Sequence, residues 1–84
     1  MYYVYALRSL KDGKFYVGFT NDVNKRLVTH NNGQVQATRN RVPFEIVYYE
    51  ASRNINDAIK REKYLKTTYG KRYLMNRLRN DLEE

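Results

Sequence analysis

Glu62 occupies a place where an apolar side chain is expected. Between residues 55 and 69, Ile55, Ala58, Ile59, Leu65 and Tyr69 recur at helical spacing, and Glu62 falls on their stripe. A carboxylate on a buried stripe costs several kcal/mol unless a base or a metal ion meets it. Lys60, Arg61, Lys63 and Lys66 surround it, so a boundary position or a structural ion pair competes with a functional role. Arg26 and His30 are four apart and share one helical face. A guanidinium there is a permanently charged fork for phosphate oxygens, and an imidazole moves protons near neutral pH. Singly, each has an ordinary reading as a solvated cation or a structural histidine.

Two tyrosines complete the set. Lys11-Asp12-Gly13-Lys14 is a turn signal between two strand-like runs. A two-residue loop at Asp12-Gly13 puts Ser9 and Tyr16 on one face, and Tyr5 shares that face because it lies four residues before Ser9. A loop of another length can change this parity, and a pair of packed sheet tyrosines is the plain alternative. Gly18 weakens a strand unless something approaches closely or the strand bends.

The elements that must position these groups read as ββαβαα. Tyr2 to Leu7 and Phe15 to Thr20 form a hairpin. Asn21 or Asp22 caps a helix to about His30, with Val23 and Leu27 inward, and Asn31-Asn32-Gly33 stops it. A polar, basic loop over residues 34–43 leads to a strand over Phe44 to Glu50. Asn54 or Asn56 starts the Glu62 helix and Gly70 ends it. A last helix from Lys71 to about Leu82 aligns Leu74, Leu78 and Leu82. The expected fold is α+β, a three-stranded antiparallel sheet with helices packed on one side, in a single domain over residues 1–84.

Composition narrows the partners. The 84 residues carry no cysteine and one histidine, which excludes disulfides, thiolate metal sites and an all-histidine zinc site. The formal charge is +7. Residues 1–79 hold sixteen Lys and Arg against six acids, a net +10, because Asp81, Glu83 and Glu84 crowd the end. A small domain this basic commonly meets a polyanion, and the nine tyrosines include candidates for contacts with bases or phosphates. No apolar run reaches membrane-spanning length and no secretory pattern opens the chain, so a cytoplasmic protein without membrane association is expected.

The combined pattern resembles the GIY-YIG nuclease family, most nearly its small standalone members. Tyr3-Val4-Tyr5 stands for "GIY". After a gap of ten residues, Tyr16-Val17-Gly18 stands for "YIG", followed by Arg26, His30 and the helical Glu62. The resemblance implies that Tyr5, Tyr16, Arg26, His30 and Glu62 are catalytic. It further implies that Glu62 binds Mg²⁺ or Mn²⁺, and that Gly18 and Asn76 support the site. Tyr3 departs from the glycine of the first triplet, and Phe19 stands where some relatives carry an active-site lysine.

These roles suit the hydrolysis of a DNA phosphodiester, which needs an activated water, a stabilised phosphate and a neutralised leaving oxygen. On this resemblance Arg26 is expected to grip the phosphate, Tyr5 or Tyr16 to orient or deprotonate the water, and His30 to relay the proton or hold a phosphate. Arg39, Arg41, Lys60, Arg61, Lys63, Lys66, Lys71 and Arg72 are expected to meet backbone phosphates, which raises affinity without reading sequence. A structure-selective endonuclease in DNA repair or recombination, acting as a monomer or weak homodimer, is the expectation. A nucleic-acid-binding module without cleavage, to which Phe19 lends some weight, is the alternative.

Overall fold

In a computed structural model, which describes residues 1–83, the chain forms β1 (Tyr2–Ser9), β2 (Phe15–Thr20), α1 (Val23–Asn31), β3 (Phe44–Ser52), α2 (Ile55–Leu65), α3 (Thr68–Arg77) and a short α4 (Arg79–Leu82). The sheet is antiparallel in the order β2-β1-β3. The expected α+β class and ββαβαα order hold, with the last helix broken in two at Leu78.

The helices cover both faces of the sheet, not one. Strand β1 is central and buries Val4, Tyr5, Ala6 and Leu7 in succession, as a strand covered on both sides must. Val4 and Ala6 pack with Val17, Ala58, Leu65 and Leu74 beneath α2 and α3. Tyr5 and Leu7 pack with Phe44, against Val23 and Leu27 of α1. Strand β3 carries one extra residue: Ala6 pairs with Tyr48 but Leu7 with Ile46. The resulting bulge turns both Val47 and Tyr48 toward the α2–α3 side.

The hairpin loop is longer than expected. Ser9 N–H donates to Lys14 O at 3.0 Å and Gly13 N–H to Ser9 O at 2.9 Å, closing a loop of residues 10–13. Tyr16 therefore pairs with Leu7 and Gly18 with Tyr5. The register moves by two residues, so the side-chain parity survives. Ser9 is buried, and its hydroxyl accepts from the Lys11 and Asp12 amides and donates to Arg41 O.

Gly70 does not end α2. That helix stops at Leu65, and Thr67 caps α3 by accepting from the Gly70 amide at 3.1 Å while donating to Tyr64 O at 2.6 Å. A Cβ on Gly70 would strike the backbone of Tyr64 and Leu65. Glycine serves here as a contact between helices, and Leu74 and Leu78 follow it into the core.

Candidate active site

The site forms on the face of the sheet that α1 covers. Tyr5 and Tyr16 lie diagonally across the β1–β2 pair on the same face, since Tyr5 faces Gly18 and Tyr16 faces Leu7. The phenol of Tyr5 lies over Gly18, where a Cβ would collide with Tyr5 Oη and Cζ. The expected close approach at Gly18 is thus a side chain of the site itself.

Helix α1 delivers the other two groups. Asp22 caps it by accepting from the Lys25 amide at 3.1 Å, and one turn separates Arg26 from His30. Arg26 Nε donates to Tyr5 Oη at 3.4 Å, and Tyr5 Oη lies 3.0 Å from His30 Nε2. The His30 ring meets Tyr16 edge to face, with centroids 5.0 Å apart. Asn31 holds the end of α1 to the start of β3, donating to Phe44 O at 3.0 Å and accepting from its amide at 2.7 Å.

Burial divides the cluster. Tyr5 is 2 % exposed and His30 fully enclosed, while Tyr16 and Arg26 are half-buried. Burial holds the Tyr5 phenol above its usual range, outweighing the hydrogen bond and charge of Arg26. Burial, helped by the Arg26 charge, pushes the His30 imidazole down to about 4. At neutral pH both are uncharged.

The second nitrogen of His30 has a partner that sequence reading missed. Nδ1 lies 2.8 Å from Thr38 Oγ1, and Thr38 is also fully buried. Residues 34–43, expected as a surface loop for phosphate, thus send a hydroxyl inward. No periodicity or motif marks Thr38, so only the fold reveals it.

Glu62 is at the margin of the cluster, and it is not a buried intruder. Its side chain is 22 % exposed and pairs with Lys66, one turn on, at 3.1 Å. The stripe that carries it is interrupted too: Ala58 and Leu65 are buried, whereas Ile55 and Tyr69 are exposed, Tyr69 lying beyond the end of α2. The Glu62 charge still reaches Tyr5, where it opposes ionisation of the phenol. Among the described residues no group of three or more His, Cys, Asp or Glu side chains gathers for a metal. A hard divalent cation that keeps waters and takes ligand oxygens from a phosphate fits a single carboxylate.

The basic residues part into two kinds. Lys60, Lys63, Lys71, Arg72 and Arg39 are exposed. Arg41 is committed to the fold: it pairs with Asp12 at 2.7 Å, donates to Lys14 O and lies over the Phe44 ring. Lys66 is held by Glu62. Arg61 pairs with Glu50 and lies over the rings of Tyr64 and Tyr73. Asn76 sits exposed on α3, outside the cluster. Phe19 stacks on Tyr2 and packs on the α2–α3 side, so no cation stands there. A groove of about 770 Å³ is lined by Phe15, Tyr16, Leu74 and Met75 together with Arg8, Lys14 and Lys71.

Comparison with known proteins gives the family. The model of the GIY-YIG catalytic domain matches residues 1–77. A UPF0213 protein of Clostridium perfringens is 45% identical over 67 residues, covering 79% of this chain and 71% of that protein. One of Staphylococcus saprophyticus is 40% identical over 67 residues, covering 79% and 80%. The solution NMR structure of the UPF0213 protein BH0048 from Bacillus halodurans superposes with a TM-score of 0.55 at 35% identity, over 90% of this chain and 84% of that one. A catalytic-domain model spanning nearly the whole chain, and relatives alike along most of their own length, show that it belongs to the GIY-YIG family of nucleases, among the UPF0213 proteins.

Proposed function

We propose that the protein is a metal-dependent endonuclease that hydrolyses DNA phosphodiester bonds and selects its substrate by shape. The observation that carries this reading is the meeting of Tyr5, Arg26 and His30 through hydrogen bonds, with Tyr16 against the same imidazole. A structural ion pair or a packed aromatic pair does not call for this combination.

Arg26 binds the scissile phosphate. Its Nε is taken by Tyr5, and its two Nη groups make no hydrogen bond to the described residues, which suits a two-point grip. Tyr16 is the phenol that meets the attacking water: it is half-exposed, whereas the Tyr5 hydroxyl is spent on Arg26 and His30. Glu62 would hold Mg²⁺ or Mn²⁺. The ion would supply charge neutralisation at the phosphate and the leaving oxygen. The pairing with half-exposed Lys66 is weak enough for the carboxylate to change partner. Exposed Lys60, Lys63 and Lys71 add sequence-independent contacts, which favours recognition of a branch, flap or nick and a role in repair or recombination.

The test uses supercoiled plasmid and branched DNA, each with Mg²⁺, Mn²⁺ or chelator. The expected result is metal-dependent nicking, reduced at least about 100-fold by Glu62→Ala and by Arg26→Ala. Salt-sensitive binding without cleavage on every substrate would replace the enzyme by a binding module. The stacked Phe19 in place of a lysine is the one feature that favours that second reading.

A further inference from the structure

We infer that Thr38 is a positioning residue: its buried hydroxyl holds His30 as the Nδ1–H tautomer and so turns the Tyr5 oxygen toward Arg26. The inference rests on the reading of Arg26 as the phosphate-binding group and adds the residue that aims it.

The direction of each hydrogen bond follows from the one before. A guanidinium only donates, so Tyr5 Oη accepts from Arg26 Nε at 3.4 Å. The Tyr5 O–H then needs an acceptor of its own. Among the described residues the one within reach is His30 Nε2, at 3.0 Å. A nitrogen that accepts carries no hydrogen, and the imidazole is neutral at working pH because burial and Arg26 both oppose its charge. The ring hydrogen therefore sits on Nδ1 and points at Thr38 Oγ1, 2.8 Å away. Thr38 passes its own hydrogen toward Val35 O, at 3.5 Å. The opposite direction would leave the enclosed Tyr5 hydroxyl with two donors aimed at it and no acceptor for its own hydrogen.

The local backbone is arranged for this. Thr38 precedes the 3-10 turn Arg39–Arg41, where threonine ordinarily caps with its side chain, yet it makes no capping bond. The amides of Thr38 and Arg39 both donate to Val35 O, at 3.1 and 2.9 Å, which fixes the turn and leaves the hydroxyl free to face His30. The result is one enclosed chain running from Arg26 through Tyr5, His30 and Thr38 to the Val35 carbonyl. It leaves both Nη groups of Arg26 for an anion.

The chain has one histidine, so a single imidazole signal reads the tautomer. Ring ¹⁵N NMR at pH 7.5 on the wild type and on Thr38→Ser is expected to show Nδ1–H. Thr38→Val keeps the shape and removes the acceptor, and is expected to shift the ring toward Nε2–H. On supercoiled plasmid, Thr38→Val should lower kcat about 10- to 100-fold, the range for a lost orienting partner, with KM unchanged and Thr38→Ser restoring the rate. An Nε2–H wild type overturns the inference, as does a Thr38→Val protein with wild-type ring shifts. The wild-type spectrum needs no variant to fold. An Nδ1–H wild type that cuts no DNA removes the nuclease reading instead, and leaves the hydrogen-bond chain in place.

Discussion

At the scale of single residues, the informative contrast is between Glu62 and His30. Glu62 stood out as a charge on an apolar stripe, yet it lies at a boundary beside Lys66. His30 has an unremarkable sequence context and is fully enclosed. Its burial makes a pH prediction. The folded imidazole titrates near 4, below the usual 6.5, so the unfolded chain takes up a proton first as pH falls. Stability is then fully present above about pH 6.5 and declines as pH falls toward 4. Between pH 7.5 and 5 the loss should be about 2 kcal/mol, measured by urea unfolding. His30→Gln should remove most of that slope, and an unchanged slope would contradict the placement. Asp12, held well below the usual carboxylate range by Arg41, loses its contribution only under more acid conditions.

At the scale of elements, junctions decided more than the elements did. The α2–α3 break comes from Thr67 capping a new helix, and Gly70 lets that helix touch the end of the last one. Propensity favours alanine over glycine inside a helix by about 1 kcal/mol. Packing opposes it here, because the added methyl meets backbone that cannot swing aside. Gly70→Ala should therefore destabilise by about 1–3 kcal/mol in denaturant unfolding, and a stabilised variant would refute the close contact. The β3 bulge acts in the same way. Simple alternation assigns Val47 and Tyr48 to opposite faces, and the extra residue puts both on one.

At the scale of the whole molecule, the charge that suggested a polyanion is unevenly available. Arg41 and Arg61 are tied to acids and rings, whereas Lys60 and Lys63 stand exposed on α2. Each free lysine that meets a phosphate releases about one counterion. Lys60→Ala together with Lys63→Ala should thus reduce the slope of log binding constant against log salt by about 1–2. Fluorescence anisotropy on one branched DNA measures it, and an unaltered slope would move the DNA path off α2. No helix among the described residues is long and apolar enough to cross a membrane.

The order of elements, the shared face of Tyr5 and Tyr16 and the Arg26–His30 face were legible in the amino-acid sequence, because each rests on short-range periodicity or cap chemistry that neighbours along the chain express. The family resemblance was legible too, as spacing. What only the tertiary structure decided were contacts between distant segments: Thr38 against His30, Gly70 against Leu65, Arg41 against Asp12, and α1 on the second face of the sheet. A side chain's burial and partner depend on what the fold brings to it from elsewhere, and no local pattern carries that information.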